Sequence, residues 1–273
     1  MLLLIDVGNT NTVFALYRER KQLGQWRLST NRERTAEEYG ALLIQLIQIA
    51  GFDHRQVAAV IISSVVPPAL QPLRWMSEGF FGCKAFVTGE DLEHGIVNKL
   101  NNPREAGSDR LVNAVAAVRR YEPPLIIVDF GTATTFDVVD DEGAFIGGVI
   151  APGINLSIEA LHRAAAKLPR IAIEPPANAI GRSTEGAMQS GIFWGYVGMI
   201  EGLIARIEAE YGATMTVIAT GGLAPLFARQ CACLKHVDKD LTMAGLLEIY
   251  LMNRERIHAG EENGDASPKR TPA

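Results

Sequence analysis

Residues 1–17 read Met1-Leu2-Leu3-Leu4-Ile5-Asp6-Val7-Gly8-Asn9-Thr10-Asn11-Thr12-Val13-Phe14-Ala15-Leu16-Tyr17. An apolar run stops at Asp6, a polar turn containing one glycine follows, and a second run rich in β-branched and aromatic residues begins at Thr12. The pattern is strand, tight loop, strand. It returns in mid-chain as Leu125-Ile126-Ile127-Val128, then Asp129-Phe130-Gly131-Thr132-Ala133, then Thr134-Thr135-Phe136-Asp137-Val138-Val139. A repeat at about half the chain length marks two duplicated halves rather than a solenoid.

The segments between fit this scheme. Gln25 to Ser29 adds a third strand candidate, and Thr35-Ala36-Glu37-Glu38 is a capping box ahead of a helix whose apolar face carries Leu42, Leu43, Leu46, Ile47 and Ile49 and which ends at Gly51. Residues 57–66 form a β-branched run closed by Pro67-Pro68, a strand meeting a helix start. Residues 84–88 are a further short strand. Residues 108–121 have helical periodicity and Pro123-Pro124 stops them. Asp141-Glu142-Gly143 turns a hairpin into residues 144–150, residues 183–211 read as one long helix despite five interior glycines, and residues 217–220 are a last strand running into Gly221-Gly222 and a helix. Each such glycine costs about 1 kcal/mol relative to Ala, so the helix needs a packing reason, for which close approach of another backbone serves. The expected domains are 1–120 and 121–258, with a polar tail over 259–273 expected to be disordered.

A length of 273 residues suits two domains, and 48% apolar with 21% charged residues is ordinary globular composition. The net charge of -5 offers no broad attraction to nucleic acid. The apolar N-terminus meets Asp6 too early for a signal segment or membrane span. Three scattered cysteines, Cys83, Cys231 and Cys233, give no disulfide framework and suit a reducing cytoplasm. Cys231 and Cys233 with His236 fall short of the four ligands of a closed zinc site.

In the opening loop, backbone N–H groups, hydroxyls and a glycine could approach a phosphate chain closely. A bare carboxylate would repel phosphate, so Asp6 makes sense there together with Mg²⁺, held directly or through water. The same residues also make a plain hairpin turn with an Asx-type hydrogen bond, and taken alone the motif leaves both open. A second Asp-x-Gly-Thr turn at Asp129 to Thr132 lets two such loops face each other across a cleft. Thr220-Gly221-Gly222 supplies a third backbone-rich turn, against which a base or ribose could lie.

In this order the three turns resemble the phosphate-1, phosphate-2 and adenosine signatures of the acetate kinase, sugar kinase, Hsp70 and actin superfamily. Within it the sequence is most similar to the type III pantothenate kinases, over residues 1–257. The motifs are Asp6-Val7-Gly8-Asn9-Thr10-Asn11, Ser63-Ser64-Val65-Val66-Pro67, Asn102-Pro103-x-Glu105-x-Gly107-x-Asp109-Arg110, Asp129-Phe130-Gly131-Thr132-Ala133, Gly148-x-Ile150-x-Pro152-Gly153 and Gly181-x-Ser183-Thr184. The resemblance implies an α/β fold of duplicated ribonuclease H-like (actin-like ATPase) domains, each a mixed β-sheet flanked by helices, with a cleft between them. It implies ATP-dependent phosphorylation of pantothenate to 4′-phosphopantothenate, the entry to coenzyme A, with Asp109 as general base. By the same resemblance, ATP is contacted by Asp6, Val7, Gly8, Asn9, Thr10, Asn11, Thr12, Val13 and Thr132. Pantothenate is contacted by Gly107, Ser108, Asp109, Arg110 and Thr184, and Asp129 holds a monovalent cation, K⁺ or NH₄⁺. A homodimer with sites near its interface is implied too, which would account for the glycine-rich helix.

Read without the family, Asp109 is a helix N-terminal charge, Arg110 a surface ion-pair partner and Ser183/Thr184 a helix N-cap. The chain departs from the family at Leu100, where many members carry Tyr, and at Ser108, where many carry Ala. Two other readings stand beside it: another kinase or phosphatase of the superfamily, and a non-catalytic homologue resembling the Bordetella accessory factor linked to transcription control.

Overall fold

A computed structural model of the chain describes residues 1–164, 169 and 171–257; the tail expected over 259–273 lies outside the described residues. The first half runs β1 (Leu2–Val7), β2 (Asn11–Arg18), β3 (Lys21–Ser29), α1 (Ala36–Ile49), β4 (Ala59–Ser64), α2 (Pro67–Met76), β5 (Ala85–Val87) and α3 (Ser108–Arg120). The second runs β6 (Leu125–Phe130), β7 (Ala133–Val139), β8 (Phe145–Pro152), α4 (Ile154–Ala164), α5 (Thr184–Tyr211), β9 (Thr216–Gly221), α6 (Ala224–Phe227), β10 (His236–Val237) and α7 (Leu241–Met252).

Local signals set many of these boundaries. Thr35 and Glu38 close the capping box of α1, with the Glu38 N–H donating to Thr35 Oγ1 at 3.3 Å and the Thr35 N–H to Glu38 Oε2 at 2.8 Å. The helix ends where Gly51 turns left-handed at φ +83°. Pro67 and Pro68 occupy the first turn of α2, where their missing N–H groups cost nothing. Ser183 caps α5 by accepting the Gly186 N–H at 3.1 Å.

The repeated sequence pattern is a repeated topology. One sheet has the order β3-β2-β1-β4-β5 and the other β8-β7-β6-β9-β10, the same path in both halves. Within each, the first three strands are antiparallel neighbours and the next two join in parallel. This is the mixed sheet expected of duplicated ribonuclease H-like domains. Strands β1, β4 and β6 lie inside their sheets and are covered on both faces, which is why they read as unbroken apolar runs.

Five layers result. Helices α1 and α2 cover the outer face of the first sheet through Tyr39, Leu43, Ile47, Ala69 and Leu73, and α4 and α5 cover the outer face of the second through Ile154, Phe193, Val197 and Ile200. Between the sheets lie α3 and α7. Val112, Val115, Met243 and Leu246 pack on the first sheet, while Leu111, Ala114, Leu241 and Ala244 pack on the second. Helix α7 thus returns to cover β1 and β4 of the first sheet. Helices α4 and α7 are not among the elements expected from the sequence, although Ile154 and Ile158 give α4 a readable apolar face. Between two sheets, α7 is apolar on nearly every side, with Thr242 and Glu248 its two polar exceptions, so its sequence has no single face to read.

The central layer is tight. A Cβ at Gly245 of α7 would lie 2.0 Å from the Val112 carbonyl oxygen and 2.7 Å from Val112 Cγ1 of α3. Gly245→Ala is therefore expected to push the two helices apart and lower stability by about 1–3 kcal/mol, the usual cost of overpacking. Urea unfolding is the measurement, and an unchanged midpoint would show that the layer tolerates the extra methyl.

Candidate active site

Side chains alternate between the faces of a strand, and this alternation aims the carboxylates. In β1, Leu3, Ile5 and Val7 join the outer core, whereas Leu2 and Leu4 face α3 and α7. Asp6 continues the inner series at the strand's end. In β6, Ile126, Val128 and Phe130 face outward and Leu125 and Ile127 inward, and Asp129 continues the inner series in turn. In β7, Phe136 and Val138 are outer and Val139 inner, which puts the buried Asp137 on the inner face as well. Both halves thus deliver acids to the layer where α3 begins, with Asp109 in its first turn.

Hydroxyls and amides surround them. Ser63 of β4 pairs in register with Asp6, and Thr220 of β9 with Asp129. Ser63 Oγ lies 3.2 Å from Ser108 Oγ, which is 2.7 Å from Thr88 Oγ1, so Ser108 joins the start of α3 to the first sheet. Asn113 donates from Nδ2 to Asp129 Oδ2 at 3.1 Å, while its Oδ1 accepts the Thr242 hydroxyl of α7 at 2.8 Å. Each phosphate-type loop is closed by the N–H of its glycine, Gly8 to Asn11 O and Gly131 to Ala133 O, both at 3.0 Å, the second loop being one residue shorter. They meet across the cleft, Thr10 Oγ1 to Thr132 Oγ1 at 2.8 Å. Gly221, at φ +87°, lets the third turn close in, since a Cβ there would sit 2.8 Å from Asp129 Oδ1.

Burial raises every acid in the group. Asp6 is pushed up to about 7, first by burial and then by the charges of Asp109 and Asp129, with a Ser63 hydrogen bond opposing. Asp129 is pushed up to about 7 by burial and by Asp109 and Asp137, with Asn113 opposing. Asp137 reaches about 6 through burial, against the pull of Arg110. Asp109 is raised by burial and held back by the Arg110 backbone N–H, which reaches its Oδ1 at 2.8 Å, and by the Arg110 guanidinium. These acids titrate as a coupled set. A cation among them would relieve their repulsion, the chemistry expected of carboxylates facing phosphate loops. Among the described residues no three Asp, Glu, His or Cys side chains stand close enough to hold a metal ion by themselves. A cation here would complete its shell with phosphate oxygens and water, the usual habit of Mg²⁺ at nucleotide sites.

The structure therefore gathers Asp6, Gly8, Thr10, Thr132, Gly107, Ser108, Asp109, Arg110 and Asp129 around one cleft. Val7 lies in the outer core and Thr12 is buried against Thr30 at 2.9 Å, so only their backbones are available to a ligand. Val13 packs against the inner core, and Asn9 and Asn11 are exposed at the loop. Thr184 stands apart, exposed in the first turn of α5, and no side-chain contact among the described residues joins it to the Asp109 loop. Leu100 packs into the inner apolar cluster with Leu111 and Phe145. Beside Gly107 and Ser108 opens a cavity of about 1040 Å³, bounded by Ser64, Thr88, His94 and Asn98. Two polar residues of the site went unread in the sequence, Asn113 and Asp137. The readable signal at Asp137 was a charge inside an apolar strand, since acids are almost never fully buried unless paired.

Over 254 residues the chain is 56% identical to a type III pantothenate kinase from Paramagnetospirillum magneticum, covering 93% of this chain and 98% of that protein. Among solved structures, one described as a Baf family transcriptional activator from Campylobacter jejuni has a TM-score of 0.60 at 18% identity, over 93% of this chain and 99% of the other. The activator of the 2-hydroxyisocaproyl-CoA dehydratase from Clostridium difficile, with bound ADPNP, has a TM-score of 0.52 at 10% identity, over 98% and 99%. These two likenesses concern the fold. A family model described as type III pantothenate kinase matches residues 2–206, and by that match together with the 56% identity the chain belongs to the type III pantothenate kinase family.

Proposed function

We propose that this kinase carries out its family's reaction, phosphorylation of pantothenate with ATP as the first step of coenzyme A biosynthesis, with Asp109 as the general base. The observation that carries the reading is the placement of Asp109 in the first turn of α3, electrostatically coupled to Asp6 and Asp129 at the ends of the two central strands. Asp109 accepts the proton of the primary hydroxyl as it attacks the γ-phosphorus in line. The Gly8 and Gly131 loops offer backbone N–H groups to the phosphates, and Thr10 and Thr132 add hydroxyls. Mg²⁺ near Asp6 and K⁺ or NH₄⁺ near Asp129 supply positive charge between carboxylates and phosphates. Burial raises Asp109 above the usual carboxylate range, and the Arg110 backbone N–H and guanidinium beside it pull back toward the ionised form that a base requires.

A homodimer through α5 is part of the proposal. Gly191, Gly195 and Gly198 are exposed, and a Cβ built on any of them meets nothing within 4 Å among the described residues. A helix that tolerates so many interior glycines needs a partner backbone. Sedimentation should give twice the chain mass for the parent and a lower mass for Gly195→Arg; a parent that sediments as a monomer would rule the dimer out.

Asp109→Asn is expected to lower kcat by about 10²–10⁴, the usual contribution of a general base, while the protein stays folded and binds ATP. Turnover at the parent rate would sink the base assignment. A parent that makes no phosphopantothenate with ATP, Mg²⁺ and K⁺, in a panel with sugars and with Na⁺ replacing K⁺, would sink the function itself.

The raised acids also predict a pH dependence of stability. Asp6 and Asp129 hold their protons to about pH 7 when folded but only to about 3.9 when unfolded. The folded state therefore binds more protons across this window, and stability must fall as pH rises from about 4 to about 7. In thermal unfolding without added metal, the midpoint should drop between pH 5 and pH 8, and MgCl₂ with KCl should recover more of it at pH 8 than tetramethylammonium chloride at equal ionic strength. A midpoint that rises over this range would contradict the electrostatic description.

A further inference from the structure

The inner face of β7 carries a carboxylate where its counterpart in the first half does not. Leu4 pairs with Ala15 across β1 and β2, and Ile127 pairs with Asp137 across β6 and β7. Asp6 and Asp129 are the matched acids of the two halves, so Ala15 is the residue that matches Asp137. The repeated fold is thus built with a methyl at this position, and the acid needs another reason.

Its surroundings supply one. Asp137 is fully buried, its Oδ1 accepts the Arg110 Nε–H at 2.5 Å, and its Oδ2 accepts the Thr135 hydroxyl at 3.2 Å. The Arg110 guanidinium lies over the Phe145 ring at 5.3 Å. One edge and one face of the guanidinium are therefore taken. Its Nη2 is buried and has no hydrogen-bond partner among the described residues. Gly148 leaves the room for it, because a Cβ there would come 2.9 Å from Nη2. A buried charged donor left idle is costly, and buried ion pairs are often no more stabilising than apolar residues of the same volume. A pair that keeps such a donor idle in the free protein is explained by a ligand that uses it.

We propose that Asp137 is a positioning residue for the acceptor substrate: it pins the Arg110 guanidinium so that Nη2 is presented to a hydrogen-bond acceptor oxygen of pantothenate, beside the base Asp109. The inference rests on the reading of Gly107 to Arg110 as the substrate loop. Asp137 acts through Arg110 and touches no substrate itself. Removing its charge should release the guanidinium to other rotamers, so the loss falls on acceptor binding more than on the chemical step.

The test is steady-state kinetics of the full chain with pantothenate varied at saturating ATP, on the parent, Asp137→Asn, Arg110→Gln and the double variant. Asp137→Asn should raise the KM for pantothenate about tenfold, as for one well-placed charge-assisted hydrogen bond, with kcat changed less and the KM for ATP unchanged. Because the acid acts through the arginine, the double variant should have the KM of Arg110→Gln alone. Thr135→Val, which removes only the hydrogen bond to Oδ2, should move the KM the same way by less. A parental KM in Asp137→Asn, or a double variant clearly worse than Arg110→Gln, would overturn the proposal. If Asp137→Asn fails to fold because Arg110 is left unpaired, the double variant removes both charges, and its comparison with Arg110→Gln decides the matter. A parent without pantothenate kinase activity is seen before any variant is measured, and it overturns the substrate-loop reading together with this inference.

Discussion

The constraint on which the rest depends is the crowding of four acids, Asp6, Asp109, Asp129 and Asp137, at one end of the layer between the sheets, with Arg110 as the guanidinium paired among them. Burial alone raises each of them, and mutual repulsion adds to the rise at Asp6 and Asp129. Such a cluster opposes folding at neutral pH, so it must be held by structure made elsewhere. The two cores facing α3 and α7 do this, since Val112, Val115, Leu246 and Ile249 on one side and Leu111, Ala114, Leu241 and Ala244 on the other fasten both sheets to the same pair of helices. The acids occupy the polar end of a layer whose remainder is apolar.

The route from sequence to this arrangement is short because a strand has period two. Once Leu2 and Leu4 face inward, Asp6 must follow them, and once Leu125 and Ile127 do, so must Asp129. The sequence shows the two Asp-x-Gly turns as a repeat, and that repeat was enough to expect duplicated sheets. The α1 capping box, the Pro67-Pro68 start of α2 and the hairpin at Gly143 are equally local and were equally legible. What was not legible depends on contacts distant in sequence. Helix α7 has no polar face because it has no exposed one, so periodicity is silent about it. The role of Asp109 came from resemblance to a family, for its residue type and spacing alone describe any helix start. Asn113 and Asp137 are visible only when β6, α3, β7 and α7 are assembled, since their partners lie 16, 129 and 27 residues away.

Sequence departures also gain physical content from the assembled site. Ser108, one of the two departures from the pattern the sequence resembles, bonds to Thr88 and approaches Ser63, so the hydroxyl is used within the chain. Leu100, the other, is taken up by apolar packing with Leu111 and Phe145. Phe145 is also the ring beneath the Arg110 guanidinium. The two substitutions therefore lie on opposite sides of the same loop, one tying it to the first sheet through hydroxyls and the other adding apolar support on the side of the second.

Duplication makes the division of labour between the halves intelligible. Each central strand ends in an acid, and each acid has a hydroxyl residue opposite it on the parallel neighbour, Ser63 for Asp6 and Thr220 for Asp129. The symmetry stops there. On the first side the hydroxyl reaches onward to Ser108 and so to the loop that carries Asp109. On the second side the acid is held by Asn113, whose carbonyl is in turn fixed by Thr242, so that its amide N–H₂ is turned toward Asp129. An acid whose neighbour leads to the reacting loop suits the phosphate and its metal. An acid held by an amide that cannot titrate keeps a fixed orientation as charge changes around it, which is what the proposed cation at Asp129 would require. The difference arises because α3 crosses between the sheets once, with its first turn against the first sheet's hydroxyls and its second against the second sheet's acid.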